Sequence, residues 1–290
     1  MHETQIEKVA VIGAGTMGHG IAQVAAQSDY RVTLTDLDPQ ALERAQRKIA
    51  ANLDKGVARG KLSEEHRAKT LANISISSNS SEALSGSGLV IEAVSESLAL
   101  KQKIFSAAEA LVAPTTILAS NTSSLSLAAI AESLEHPQRL IGMHFFNPVH
   151  IMQLLEIVVH DRVSPACREA ALAVARRMGK EPIVVKDSPG FASSRLGVVL
   201  GLEAMRMLEQ GVADAAAIDT AMELGYKHPM GPLKLTDHVG LDVRLAIAEH
   251  LHRELGGDQY APPQILRDKV ARNELGRKTK KGFYDYGDAE

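Results

Sequence analysis

The sequence predicts an α/β protein: a doubly wound, mainly parallel sheet followed by an all-α region. Two observations support this. Up to about residue 186, short apolar runs alternate with helical patterns, which is typical of βαβ units and a parallel sheet. Beyond the loop at 187–190, the pattern indicates helices and no convincing strand. We therefore expect two domains, spanning residues 1–186 and 187–290.

Apolar runs, many of them β-branched, mark the strands because both faces of a parallel sheet are buried. The predicted strands are 8–12, 31–35, 74–76, 89–91, 117–119, 140–143, 154–159 and 182–185. The predicted helices of the first domain are 16–28, 40–57, 101–111 and 165–178. Asp38 and Pro39 offer the second of these helices a cap and a first-turn proline. The predicted helices of the second domain are 191–209, 214–224, 239–255 and 263–273.

The composition excludes several classes of protein. The chain has 290 residues, 32 Lys and Arg against 35 Asp and Glu, and a net charge of −3. This balance disfavours nucleic acid as a partner, because phosphate neutralisation needs excess positive charge. A single cysteine, Cys167, excludes an intramolecular disulfide. Met1 to Gln5 lacks the features of a signal peptide, and no apolar run approaches the roughly 20 residues that span a bilayer. We expect a cytoplasmic protein with no membrane partner.

A glycine motif predicts a dinucleotide site. Gly13, Gly15 and Gly18 fit G-x-G-x-x-G, with Thr16 and Met17 between the last two. A strand precedes the motif and a helix follows it, which is the context of a Rossmann-type domain. The glycines allow a tight turn, backbone approach to a pyrophosphate and close packing of helix on strand. The positive end of the helix then faces the phosphates.

An acidic residue after the next strand predicts the choice of cofactor. Asp36 ends that strand, where a carboxylate can bind a ribose diol and repel a 2′-phosphate. Asp38 adds a second negative charge, and no arginine stands beside either residue in the sequence. We therefore expect NAD rather than NADP.

The pair His144 and Glu156 is a candidate for acid–base chemistry. His144 follows one predicted strand and Glu156 lies in the next, so a hairpin would bring them together. Neutral histidine, with a pKa of about 6.5, suits proton abstraction from an alcohol, and a carboxylate can fix its tautomer. Spacing alone does not distinguish His144 from His150 and His160 as the catalytic base. It also leaves open that His144 is only a packing residue.

Other polar residues have structural interpretations beside the functional one. Ser124 or Ser126 can cap the following helix, and Asn147 before Pro148 can be a turn residue. No spacing typical of metal ligands occurs, and G-x-S-x-G is absent, so we predict neither a metal site nor a hydrolase.

Seven sequence motifs make the chain resemble the 3-hydroxyacyl-CoA dehydrogenases, and among them the bacterial 3-hydroxybutyryl-CoA dehydrogenases. They are GAGTMGHGIAQ (13–23), VIEAVSE (90–96), ASNTSSLS (119–126), GMHFFNPV (142–149), DSPGF (187–191), HPMGPLKLTDHVGLD (228–242) and LGRKTKKGFYDY (275–286). The resemblance extends over nearly the whole chain. It implies an NAD-binding domain, a helical domain that mediates homodimerisation, and a place in fatty acid β-oxidation.

The resemblance also implies a reaction, the reversible oxidation of an (S)-3-hydroxyacyl-CoA to a 3-oxoacyl-CoA. It makes His144 the catalytic base and Glu156 its orienting carboxylate. Several further positions match family residues that contact NAD or substrate. The cofactor contacts are Glu96, Lys101, Ser123, Asn147 and Lys278, and Ser123 and Asn147 also contact the substrate. For coenzyme A the resemblance implies a basic cluster, Lys55, Arg59 and Lys61, whose other interpretation is a solvated helix end.

Two positions depart from the family pattern. Ser194 stands where the family commonly has an asparagine that holds the substrate. The serine side chain is shorter and carries a hydroxyl instead of an amide. Lys280 replaces a usual glycine. Short, butyrate-length acyl chains are the default that the resemblance implies, and a dicarboxylic chain stays open.

Two alternative functions remain at this stage. The first is a dehydrogenase of a free hydroxy acid, of the gulonate type, which would need no coenzyme A site. The second is a non-enzymatic, crystallin-like structural protein, since fold alone does not fix function.

Overall fold

The chain divides into two compact units in the computed structural model, which describes residues 6–287. The first unit ends at Asp187 and the second begins at Ser188. Met1 to Gln5, where the sequence predicts no signal peptide, lies outside the described residues. Within residues 6–287, no helix is long and apolar enough to cross a membrane.

An eight-stranded sheet forms the centre of the first unit. Its strands are β1 (Lys8–Ile12), β2 (Arg31–Thr35), β3 (Ile74–Ser77), β4 (Leu89–Glu92), β5 (Ile117–Ser120), β6 (Leu140–Phe145), β7 (Leu154–Val159) and β8 (Glu181–Lys186). They are ordered β3-β2-β1-β4-β5-β6-β7-β8. Only β6 and β7 pair antiparallel; all other neighbours are parallel. The first six strands have the order of a dinucleotide-binding fold, which confirms the predicted fold class.

Helices connect the strands of the first unit. They are α1 (Gly18–Gln27), α2 (Pro39–Ala58), α3 (Glu64–Ala72), α4 (Ser80–Leu84), α5 (Leu98–Leu111), α6 (Leu127–Ala131) and α7 (Pro165–Arg177). The sequence correctly predicts α1, α2, α5 and α7 and allows for a helix after Ser124 or Ser126, where α6 lies, but it misses the short or polar helices α3 and α4. Asp38 caps α2 as expected, accepting a hydrogen bond from the backbone N–H of Gln40.

The second unit is helical in its described part. It comprises α8 (Ser193–Glu209), α9 (Ala215–Thr220), α10 (Pro232–Val239), α11 (Leu241–Leu255) and α12 (Gln264–Ala271), with a π-helical turn after α9. The predicted helix over 239–255 corresponds to α11, which begins two residues later at Leu241, whereas α10 is not predicted. Gly240 has φ = 106°, which interrupts the helical backbone and separates α10 from α11.

Each unit has its own apolar core. In the first, strand residues such as Val9, Ile91 and Ile141 pack with residues of the flanking helices. In the second, Val198, Leu202 and other residues of α8 pack against its remaining helices. The buried residues of α8 therefore belong to the core of its own unit.

Gly142 shows how tightly β6 and β7 approach each other. It lies opposite Val158 in the antiparallel register. A Cβ atom at Gly142 would lie 2.6 Å from the Val158 Cβ, closer than side chains approach in proteins. Since His144 is two residues along β6, this close approach supports the position of the histidine.

We predict that Gly142→Ala lowers the free energy of unfolding by about 1–3 kcal/mol, because the added methyl group overpacks the pair of strands. Urea unfolding followed by circular dichroism measures the change. Gly56→Ala is the matched control, because its Cβ would lie at an ordinary 3.5 Å from the Leu62 Cβ. Equal stabilities for the Gly142→Ala variant and the parent would contradict the packing argument.

Candidate active site

The glycine loop after β1 is tightly turned and closely packed against α1. Gly13 adopts φ = 100°, and a Cβ at Gly18 would lie 1.7 Å from the Gly13 carbonyl oxygen. Both positions therefore need glycine, one for the turn and one for close packing of α1. A Cβ at Gly15 would meet no atom within 4 Å, so the backbone there faces open space.

Asp36 joins the glycine loop to the end of β2. Its Oδ2 accepts a hydrogen bond from the backbone N–H of Ala14 at 2.7 Å, and its Oδ1 accepts one from Asp38 N–H at 2.9 Å. Contrary to the sequence-based expectation, an arginine does stand nearby. Arg44, one turn into α2, donates from Nη2 to Asp38 Oδ2 at 2.9 Å. This bond holds the pKa of Asp38 below its usual value, and it occupies the guanidinium.

A cavity of about 480 Å³ opens beside this loop. Gly13, Gly15 and Asp36 line it at one end, and apolar residues of α5 such as Ile104 and Ala107 line the other. The volume lies within the range of small-molecule sites. A carboxylate, exposed glycine backbone and an apolar wall together fit the ribose, phosphate and adenine of a dinucleotide.

A buried charge network lies at the carboxyl end of β4. Glu92 is 0% exposed and Lys101 of α5 is 1% exposed. Glu92 Oε1 accepts a hydrogen bond from Lys101 Nζ at 2.6 Å, and Oε2 accepts one from Ser120 Oγ at 2.7 Å. Lys101 Nζ also lies 3.3 Å from Glu96 Oε2. The lysine thus links two carboxylates.

Glu96 organises the polar loop after β5. Its Oε1 accepts hydrogen bonds from Thr122 Oγ1 at 2.5 Å, from Ser123 N–H at 3.0 Å and from Ser124 N–H at 3.1 Å. These bonds, with the nearby charge of Lys101, outweigh burial and keep the pKa of Glu96 low. An ionised Glu96 therefore fixes the segment that carries Ser123.

His144 and Glu156 meet directly across the hairpin. They are register partners in β6 and β7, and His144 Nδ1 lies 2.7 Å from Glu156 Oε2. Glu156 is 0% exposed and His144 is 7% exposed, with the Phe146 ring centred 4.6 Å from the imidazole. Lys180 Nζ donates to Met152 O at 2.8 Å and so holds the loop of this hairpin.

The competing histidines have other surroundings. His160 is buried and its Nε2 bonds with the Leu140 carbonyl oxygen at 3.1 Å. Burial lowers the pKa values of His160 and of His150. In residues 6–287, no hydrogen bond or ion pair joins His150 to a carboxylate. The imidazole–carboxylate pair is thus specific to His144 among the three candidates.

The remaining predicted residues fall into three groups. Ser123 and Asn147 are exposed at the ends of β5 and β6, where Asn121 Oδ1 accepts a hydrogen bond from Phe145 N–H at 2.9 Å and joins the two segments. The basic residues Lys55, Arg59 and Lys61 are all exposed around the end of α2. In the second unit, Ser194 is half-buried in the first turn of α8, and Lys278 Nζ lies 2.6 Å from Asp242 Oδ2. Ser126, as one of the two structural interpretations suggests, caps α6.

Sequence reasoning assigned no role to Glu92, Asn121 or Arg44. A signal for Glu92 existed, since a carboxylate that closes an apolar strand needs a buried partner. In residues 6–287, no group of three or more His, Cys, Asp or Glu side chains is arranged to hold a metal ion.

Comparison with known families accounts for both units. A model of the 3-hydroxyacyl-CoA dehydrogenase NAD binding domain matches residues 8–188, and one of the 3-hydroxyacyl-CoA dehydrogenase C-terminal domain matches residues 190–286. The chain belongs to the 3-hydroxyacyl-CoA dehydrogenase family. This confirms the resemblance seen in the sequence, the class of oxidoreductase, and NAD as the cofactor.

Individual relatives agree with this assignment. The chain is 41% identical to a 3-hydroxybutyryl-CoA dehydrogenase from Clostridioides difficile over 279 residues, which is 96% of this chain and 99% of the relative. It is 39% identical to the human mitochondrial hydroxyacyl-coenzyme A dehydrogenase, covering 97% of this chain and 91% of that protein. The crystal structure of an (S)-3-hydroxybutyryl-CoA dehydrogenase from Ralstonia eutropha superposes with a TM-score of 0.94 at 40% identity, covering 98% and 100%.

The buried pair of Glu92 and Lys101 gives a stability prediction for this dehydrogenase. Glu92→Gln should lower the free energy of unfolding by about 3–5 kcal/mol, because it leaves a buried ammonium without its main counter-charge. Glu7→Gln, which breaks the exposed pair with Arg31, is the control and should change stability by about 0–1 kcal/mol. Urea unfolding compares them. Similar losses in the two variants would contradict the importance of the buried pair.

Proposed function

We propose that this protein catalyses the reversible oxidation of an (S)-3-hydroxyacyl-CoA, by default of short chain, to the 3-oxoacyl-CoA. The observation that carries the proposal is the 2.7 Å contact between His144 Nδ1 and the fully buried Glu156. A base aimed by a buried carboxylate is what removal of a proton from an alcohol requires.

His144 is the proposed catalytic base. Glu156 accepts the Nδ1 proton of the neutral ring, which makes Nε2 the nitrogen that takes the proton from the 3-hydroxyl. The carboxylate then stabilises the imidazolium that forms. In the reverse direction, this imidazolium returns the proton to the oxygen of the 3-oxo group.

The proposed cofactor contacts surround the glycine loop and the loop after β5. Gly13, Gly15, Thr16, Met17 and Gly18 would hold the pyrophosphate, and Asp36 the adenosine ribose. NAD, when bound, supplies the hydride acceptor. Ser123 and Asn147 would contact the nicotinamide and the substrate oxygens, and Lys278 the cofactor. Since Lys101 is buried between Glu92 and Glu96, we propose that it orients Glu96 toward the cofactor.

Further substrate contacts are proposed from the family resemblance. Lys55, Arg59 and Lys61 form an exposed basic cluster that suits the phosphates of coenzyme A. Ser194 would contact the acyl portion from the start of α8. We further propose that the second unit mediates a homodimer and that the enzyme is cytoplasmic, on the strength of the family resemblance.

The role of His144 as catalytic base predicts a loss of turnover when the imidazole is removed. His144→Gln should lose at least about 100-fold in turnover, since general base catalysis typically contributes 10²–10⁴-fold. Oxidation of NADH at 340 nm with acetoacetyl-CoA measures turnover, and titration calorimetry should show unchanged NAD affinity. His150→Gln is the matched control and should retain the activity of the parent.

Near-normal turnover in His144→Gln would refute its role as base. Glu156→Gln should also lose rate and shift the acidic limb of the pH–rate profile, whereas an unchanged profile would count against the pairing.

Replacing the thioester by free 3-hydroxybutyrate in the oxidation assay tests the alternative substrate class. Efficient oxidation of the free acid would contradict the need for coenzyme A.

Asp36 predicts the cofactor preference. Asp36→Asn keeps an oxygen that can accept the Ala14 N–H but removes the charge that repels a 2′-phosphate. The ratio of kcat/KM for NAD over NADP should therefore fall by about tenfold, the equivalent of about 1.4 kcal/mol. Glu43→Gln, an exposed acid of α2, serves as the control for net charge. An unchanged ratio in Asp36→Asn would contradict the role of this carboxylate.

A further inference from the structure

Asn121, the first residue after β5, has a half-buried amide to which the proposed mechanism gives no role. Its Oδ1 accepts a hydrogen bond from the backbone N–H of Phe145 at 2.9 Å. Phe145 directly follows His144 and is only 2% exposed, so its N–H needs an acceptor within the protein. The side chain of Asn121 therefore holds the backbone next to the proposed base.

The sheet itself offers no strand partner for this N–H on the β5 side. The pairing of β5 with β6 ends at Ser120 and Gly142, whereas β6 continues for three further residues to Phe145. On its other side, β6 remains paired with β7 as far as Phe145 and Leu155. At the end of β6, the Asn121 amide thus takes the place of a neighbouring strand.

The backbone around Asn121 is itself anchored. Its N–H donates to the Glu92 carbonyl oxygen at 2.9 Å, which ties the residue to the end of β4. Ser120 Oγ donates to the buried Glu92 carboxylate at 2.7 Å and accepts the Thr122 N–H at 3.2 Å. The residues on both sides of Asn121 are therefore held, and its amide extends from a fixed point toward β6.

Two different groups hold His144. Glu156 in β7 fixes the imidazole through the 2.7 Å contact with Nδ1. Asn121 fixes the peptide group between His144 and Phe145. A ring that is aimed by a carboxylate still moves with its own backbone, so Nε2 keeps its place only if the end of β6 is fixed as well.

We propose that Asn121 is a positioning residue for the catalytic base, and that its Oδ1 sets the end of β6 so that His144 Nε2 is aligned with the 3-hydroxyl group. This rests on the proposed function and adds a residue to its machinery. Asn121 acts through the backbone beside His144. The Ser123 segment does not depend on the amide, because Glu96 accepts its backbone N–H groups. Turnover and cofactor affinity should therefore respond differently to the loss of the amide.

Asn121→Leu tests the proposal, because it removes the acceptor at nearly the same side-chain size. With acetoacetyl-CoA and NADH, we expect kcat to fall about 30-fold and the KM for NADH to change by less than about twofold, since misplacement of a reacting group by about 1 Å can cost about 100-fold. NADH deuterated at the transferred position of C4 should show a larger isotope effect on kcat than in the unmodified enzyme. The reason is that the chemical step becomes slower relative to product release.

Asn121→Asp should rescue turnover. Its carboxylate keeps an oxygen that can accept the Phe145 N–H, so we expect at least about one third of the kcat of the unmodified enzyme. If Asn121→Leu does not fold, Asn121→Gln replaces it in the comparison. Glutamine keeps the amide but places its oxygen one methylene group farther along the side chain, and the same loss of kcat is expected.

Asn73→Leu is the matched control. Asn73 is also a half-buried asparagine whose amide bonds with the backbone, donating to the Ala26 carbonyl oxygen at 3.2 Å at the end of α3. This variant should lose stability in urea unfolding and keep the kcat and the isotope effect of the unmodified enzyme. The control thus separates a loss of stability from a loss of alignment.

A kcat of Asn121→Leu equal to that of the unmodified enzyme, or a loss that Asn121→Asp does not restore, would overturn the proposal and leave the proposed function intact. A loss explained entirely by a higher KM for NADH would overturn it in the same way, because it would assign Asn121 to cofactor binding. Failure of the unmodified enzyme to reduce acetoacetyl-CoA would instead overturn the proposed function itself.

Discussion

The reversal of chain direction between β6 and β7 is the constraint on which the site depends. In a parallel arrangement, β7 would start from the opposite edge of the sheet after a long crossover. The antiparallel pairing instead returns the chain at once and sets Glu156 directly beside His144. The close approach at Gly142 and the Lys180 bond to the hairpin loop hold this register. A one-residue slip would turn Glu156 to the other face of the sheet.

Buried cations in the two units illustrate opposite solutions to the same cost. Lys101 lies between Glu92 and Glu96, so its charge is compensated within the fold and serves to fix a loop. Arg244 packs against α8, and its buried Nε has no hydrogen-bond partner in the described residues. The first arrangement satisfies the buried cation within the fold, whereas the second leaves one donor without a bond.

The sequence predicts the sheet well because its strands are buried on both faces and so appear as apolar, β-branched runs. It misses α3 and α4 because these helices are short or polar and lack a clear apolar stripe. It also misses α10, a helix of eight residues that ends two residues before α11 begins.

Local sequence predicts the glycine motif and Asp36 of the site, and the expected hairpin predicts the His144–Glu156 pair. The contacts of Arg44 with Asp38 and of Glu92 with Lys101 depend on helix placement after the strands. The burial of Arg244 was less accessible still. It depends on Gly197 and Gly201, which are more than 40 residues away in the chain.

The loop after β5 is anchored before any ligand arrives. Glu96 gathers the backbone of Ser123 and Ser124 together with the Thr122 hydroxyl on one oxygen. The conformational entropy of these residues is therefore already lost in the folded chain, at about 1–2 kcal/mol for each backbone unit that is ordered. The nicotinamide contact that we propose for Ser123 would therefore require little further ordering of this loop, so that less of its binding free energy is spent on ordering the chain.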